Sequence, residues 1–117
     1  MSESVIKNKS FAFAVRVVNF YKVLNSERKE FVMSKQFLRS GTSVGANVRE
    51  AINAQSKADF VHKLAIAQKE CDESLYWLEL LKETKYINET EFISMSDDAV
   101  EILKIIRSII LTTKSNS

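Results

Sequence analysis

The chain contains no proline, and its only two glycines, Gly41 and Gly45, fall inside one stretch of helical pattern. Sheets need tight turns, and tight turns draw on the Gly, Pro and Asn-Gly pairs that are missing here. Long helices joined by short connections are what such a chain can build. Its 117 residues leave room for one hydrophobic core and no second. The expected architecture is all-α, an antiparallel up-down-up-down four-helix bundle with residues 1–117 as a single domain.

Periodicity places the helices at approximately 10–25, 28–54, 57–84 and 89–112. In the first, only Arg16, Asn19 and Lys22 are polar between Phe11 and Leu24, and their spacing confines them to about a third of the circumference. The remaining apolar arc is too wide for one face of a small bundle. In the second, Phe31, Phe37, Leu38, Val44, Val48 and Ile52 form a stripe interrupted by Gly41 and Gly45. Each glycine costs about 1 kcal/mol relative to Ala in a helix. Either the helix kinks near residues 40–42, or the small residues Ser40, Gly41, Ser43, Gly45 and Ala46 admit a neighbouring backbone; close packing is the favoured alternative.

The third helix opens with Ser56 and Asp59 in capping-box spacing, and Phe60, Leu64, Ala67, Cys71, Leu75, Leu78 and Leu81 continue as a near-heptad seam. The fourth opens with Asn88 and Glu91 in the matching positions and runs through Phe92, Met95, Ala99, Ile102, Leu103, Ile106, Ile109 and Ile110. Residues Thr112 to Ser117 are expected to fray.

Apolar residues make up 45% of the chain and charged ones 27%, which is ordinary globular composition. Residues 1–9 hold no apolar run of signal-peptide length, and no stretch reaches the length of a membrane span, so a soluble cytoplasmic protein is expected. The lone Cys71 has no partner for a disulfide or a metal site. Residues 1–58 carry ten Lys/Arg against four Asp/Glu, whereas residues 59–117 carry seven against eleven. A basic half beside an acidic half suggests complementarity between subunits or a basic face for a polyanion, or else plain solvated helix faces.

No catalytic centre emerges. Gly41-Thr42-Ser43-Val44-Gly45 matches the G-x-S-x-G nucleophile elbow, but that motif needs a strand-to-helix turn in a parallel sheet. A di-iron bundle needs two Glu-x-x-His pairs, and this chain offers a single histidine, His62, after Asp59. Cys71 falls on the apolar seam as a small core residue. No catalytic, metal or cofactor residue is therefore expected.

The basic residues Arg28, Lys35 and Arg39 recur at seven and four residues, close to one line of a helix, and could neutralise successive phosphates. No stacking aromatic or recognition-helix signature accompanies them. Ser40, Ser43, Asn47 and Glu50 share a face at spacings of three, four and three, which predicts a structural polar network. Phe11, Phe13, Val17, Phe20 and Tyr21 of the wide apolar arc are expected to form an oligomer interface. Trp77 joins them, since Tyr76 and Trp77 cannot both face the core that Leu75 and Leu78 face.

The segment Ser34-Lys35-Gln36-Phe37-Leu38-Arg39-Ser40-Gly41-Thr42-Ser43-Val44-Gly45-Ala46-Asn47-Val48-Arg49-Glu50-Ala51 resembles the signature of the 23S rRNA-intervening sequence proteins, also called four helix bundle proteins. So does the run Asp59 to Ala67, followed by Glu70, Glu73 and Tyr76-Trp77-Leu78. The resemblance covers nearly the whole chain. It implies a four-helix bundle of bacterial origin, with some members encoded inside insertions in large-subunit rRNA genes. The accessory protein of diversity-generating retroelements is similar in fold, and that likeness implies a homopentamer that binds nucleic acid and a reverse transcriptase. The family assigns no catalytic residue.

The leading expectation is a non-catalytic homo-oligomer, most simply a pentamer, that associates with RNA or DNA through phosphate contacts. The alternative is an oligomeric protein-interaction adaptor with no nucleic-acid role, which a mixed-sign surface with an exposed apolar groove would favour.

Overall fold

A computed structural model describes residues 2–116. Its helices are α1 (Ser2–Ser26), α2 (Met33–Ile52), α3 (Lys57–Glu83) and α4 (Glu89–Ser115), and no strand occurs among the described residues. They form a rod of 48 × 21 × 19 Å. Each helix packs on its neighbours in sequence, and α4 closes the bundle against α1. Pairing runs antiparallel: Lys9 meets Glu101, Arg16 meets Asp98 and Arg28 meets Glu91. On the other side Arg39 meets Glu70 while Glu50 meets Lys63.

Why these residues build this bundle is visible in the spacing of the buried positions. Helix α1 buries Ile6, Ser10, Phe13, Val17 and Leu24, and α3 buries Leu64, Ala67, Cys71, Ser74, Leu78 and Leu81. Both sets advance by three, four or seven, which is one face of an α-helix. Phe37, Val44 and Val48 of α2 and Met95, Ala99, Ile102, Leu103 and Ile106 of α4 complete the same cluster. Fully burying side chains of this size contributes about 1.5–3 kcal/mol each. In the third helix the seam passes through Ser74, with Leu75 at its margin.

Helix α2 runs unbroken through both glycines, so close packing holds and the kink does not. A β-carbon at Gly41 would lie 2.7 Å from both Cγ atoms of Val17, and one at Gly45 would lie 3.2 Å from the Ser10 carbonyl oxygen. The bare backbone is what lets α1 approach.

Two starting points differ from the periodic reading. Helix α1 begins at Ser2, not near residue 10, because Ile6 carries the buried face one turn further back than its polar neighbours suggest. Helix α2 begins at Met33, not at 28. Lys29 turns the chain with φ of 57°, and the buried carboxylate of Glu30 accepts from the backbone N–H groups of Met33 (3.1 Å) and Ser34 (2.6 Å). An acid there satisfies orphan donors and suits the positive helix end. The last helix stays regular through Ser115, beyond the point where fraying was expected.

The predicted caps form. Ser56 Oγ accepts from the Asp59 N–H at 3.0 Å. Asn88 and Glu91 close a full capping box, with bonds of 2.8 and 3.0 Å.

Candidate functional site

Charge disposes of itself largely within the chain. Arg28 places both guanidinium nitrogens on the two carboxylate oxygens of Glu91, at 2.9 and 2.6 Å, and also donates to the Tyr86 carbonyl at 2.8 Å. This grip holds the Glu91 carboxyl below the usual carboxylate range and raises the Arg28 guanidinium in turn. Arg39 spans Glu70 and Glu73 of α3. Glu73 is likewise held low, first by the Trp77 indole N–H at 2.9 Å and then by Arg39. Arg16 donates to Asp98 at 2.5 Å and to the Ser94 hydroxyl at 2.7 Å. The basic first half and acidic second half thus meet each other across the α1–α4 and α2–α3 seams.

The members of the expected phosphate-binding line therefore differ in their surroundings. Arg28 and Arg39 are committed to acids of their own chain, whereas Lys35 is exposed and makes no ion pair with the described residues.

The expected interface divides in the same way. Phe13 and Val17 are 1% and 0% exposed, so they belong to the chain's own core and offer no surface. Phe20 is half-buried, edge-on to Phe37 with centroids 6.4 Å apart, and Arg28 stacks over it. Tyr21 is half-buried, its hydroxyl accepting weakly from Asn25 at 3.4 Å. Trp77 packs against the core, and it is Tyr76, 55% exposed, that faces outward. A wide apolar arc on a helix that touches two neighbours buries more of itself than one inward face requires. Of the six, Phe11 remains outward, at 56%.

Phe11 has company from the same apolar arc. Val15 is 45% exposed one turn on, with half-buried Ala14 and Val18 beside it. These side chains border a shallow hollow of about 240 Å³. A second hollow of about 260 Å³ continues across Phe11 onto α2, floored by Gly45 and Ala46. The Arg49 guanidinium lies 5.4 Å over the Phe11 ring. The outer face of α1 is therefore a fixed apolar ridge with a small-residue trough beside it. Exposed apolar patches of this kind mark places where proteins meet.

The predicted polar network resolves into separate contacts. Ser40 and Ser74 share a buried hydroxyl pair at 2.9 Å between α2 and α3. Ser43 donates to the Arg39 carbonyl and Asn47 to the Ser43 carbonyl, each one turn back along α2. Glu50 is exposed and takes Lys63 at 2.9 Å. They share the α3-facing side of α2, but no bond between two of their side chains joins one to the next.

Ser43 of the G-x-S-x-G match thus lies in mid-helix with its hydroxyl on a helix carbonyl, not on a strand-to-helix turn. His62 is exposed, and the described residues hold no group of three His, Cys, Asp or Glu arranged for a metal. Cys71 is buried, donates to the Ala99 carbonyl at 3.2 Å, and its thiol is pushed up to about 12 by desolvation. No helix of the described residues is long and apolar enough to cross a membrane.

An all-α bundle of four antiparallel helices, with an unpartnered apolar ridge, is the class the fold defines. The family model of the 23S rRNA-intervening sequence proteins matches residues 2–108, and the chain belongs to that family. It is also similar to a solved protein of unknown function from the S23 ribosomal protein family of Bacteroides thetaiotaomicron VPI-5482. That match has 59% identity and a TM-score of 0.93, covering 94% of this chain and 98% of the other. Among curated proteins none matches.

Proposed function

We propose that this chain is a non-catalytic structural scaffold of the bacterial cytoplasm that works as a homo-oligomer, its copies joined through the outer face of α1. The observation that carries this is the alignment of Phe11 and Val15, both about half exposed, on one face of a helix whose Ile6, Phe13, Val17 and Leu24 are in the core. Removing such a ridge from water stabilises an assembly, and isolated soluble chains seldom leave it bare. The pentamer implied by the family likeness is the assembly expected.

Pairing of Arg28 and Arg39 with acids favours a scaffold for protein contacts over one for phosphates. Association with RNA or DNA, or with a reverse transcriptase, is then a property of the assembled surface rather than of one subunit's basic line. The test is sedimentation of the wild type beside Phe11→Glu/Val15→Glu. The wild type sediments as a multiple of 13.4 kDa and the variant as a single chain. An anisotropy titration with structured RNA at about 50 and 200 mM salt, with Lys35→Glu as control, reports any phosphate contact by its salt dependence. A variant that assembles like the wild type contradicts the proposed interface.

A further inference from the structure

The outer face of α1 is poorly matched to itself. Lys7 and Arg49 are the charged residues among the linings of its two hollows. Lys22 lies four residues beyond Val18, and Lys35 seven before Thr42, so both continue the same α1–α2 face. All four are exposed, and none makes an ion pair with the described residues. Copies joined ridge to ridge would bring these like charges together, which is costly. A matching surface has to set apolar side chains among uncompensated acids.

The face between α3 and α4 has that character. It lies opposite the α1–α2 face, since α1 does not touch α3 and α2 does not touch α4. On α3, Asp72, Tyr76, Glu79 and Glu83 recur at spacings of four, three and four, and all are exposed. On α4, Ile93, Asp97 and Val100 recur at four and three. The two stripes adjoin, because Asp72 follows Cys71 and Val100 follows Ala99, the pair through which the helices bond. Tyr76, Ile93 and Val100 are 55%, 48% and 38% exposed.

Asp72, Glu79, Glu83 and Asp97 make no ion pair with the described residues. From Asp72 to Glu83 and from Glu89 to Val100 the sequence holds one base, Lys82. That ammonium is taken up by the Phe92 ring at 4.3 Å and by Glu89 at 3.9 Å. Lys69, Lys104 and Arg107 lie beyond Asp72 and Val100, toward the other end of the rod. Two of the charges also run against their own helices. Lys35 stands in the first turn of α2 and Glu83 in the last turn of α3, where the opposite sign is favoured.

We infer that the α1 ridge of one copy packs on the α3–α4 face of a second copy, Phe11 and Val15 meeting Tyr76, Ile93 and Val100. The uncompensated bases of the first then face the uncompensated acids of the second. Each copy gives one face and receives on the other, a heterologous contact that closes into a ring where the rotation between copies allows. The inference rests on the self-association through α1 proposed above and names the surface that the ridge meets.

Charge reversal on the full chain, followed by sedimentation, tests it. Glu79→Lys/Glu83→Lys and Lys22→Glu/Lys35→Glu alter exposed residues without ion pairs in the chain, so both keep the wild-type helical content by circular dichroism. Each weakens assembly by about tenfold or more, because like charges then meet across the contact. The chain carrying all four reversals assembles again, since the facing charges are once more opposite. Wild-type assembly of Glu79→Lys/Glu83→Lys, or a four-reversal chain that stays dissociated, overturns the inference. If Phe11→Glu/Val15→Glu dissociates while Glu79→Lys/Glu83→Lys does not, the α1 interface stands and this matching surface falls. A wild type that is a single chain at every concentration removes both.

Discussion

Arg28 and Glu91 face each other with both nitrogens on both oxygens, tying the α1–α2 connection to the first turn of α4. The same carboxylate also accepts the Asn88 N–H, so one side chain serves a helix cap and a two-pronged ion pair. Because its folded form holds the proton less readily than a free glutamate, its contribution is fully present above the ordinary value of 4.5. That contribution is lost as pH falls through the lowered folded value, and Glu73, held low by Trp77 and Arg39, behaves alike. Urea denaturation from pH 7 down to 3 should show stability falling below about 4.5. Glu91→Gln should cost about 1 kcal/mol at pH 7 and flatten that fall.

Val17 occupies the space that a β-carbon at Gly41 would need, with a buried, β-branched side chain that has one preferred helical rotamer. Alanine gains about 1 kcal/mol in helix propensity, while overpacking a full core costs about 1–3 kcal/mol. Gly41→Ala should therefore destabilise the fold by about 1 kcal/mol, despite the better helix former. Paired with Val17→Ala, the loss should be less than additive in thermal melts, by roughly 0.5 kcal/mol or more.

The Asn47 side chain donates to the Ser43 carbonyl of its own helix and is half-buried. Sequence spacing suggests a buried network member worth about 1–3 kcal/mol. The contact found is a single turn-to-turn bond to a carbonyl within the helix, so Asn47→Ala should cost about 0.5–1 kcal/mol. Chemical denaturation of the purified variant measures this directly.

Cys71, desolvated and bonded to the Ala99 carbonyl, should resist thiol reagents. Alkylation at pH 8 should be negligible in the native protein and complete in denaturant. Fast native labelling would mean that α3 and α4 separate readily at that level.

The four helices were legible because missing prolines and the 3.6-residue period of Leu64, Ala67, Cys71 and Leu78 leave little else to form. The caps at Ser56 and Asn88 were legible because capping chemistry is local. What periodicity could not supply was pairing between distant helices. The line Arg28, Lys35, Arg39 looks like one basic stripe until Glu91, Glu70 and Glu73 take two of its members. Similarly, an apolar arc on one helix does not say which side its neighbours cover, and Phe13 and Val17 went inward while Phe11 and Val15 did not. Glu30 escaped notice because its carboxylate caps a helix that begins at Met33, five residues later than periodicity places it. The exposed Phe31-Val32 pair was absorbed into that same misplaced helix.

The claim on which the rest depends is that this chain does not work alone. Light scattering coupled to size exclusion, at micromolar to tens of micromolar protein in moderate salt, measures it most directly. A single species at a multiple of 13.4 kDa is the predicted result, with five copies as the expected number. A monodisperse peak at 13.4 kDa across that range would contradict it and leave the α1 ridge without a partner of its own kind.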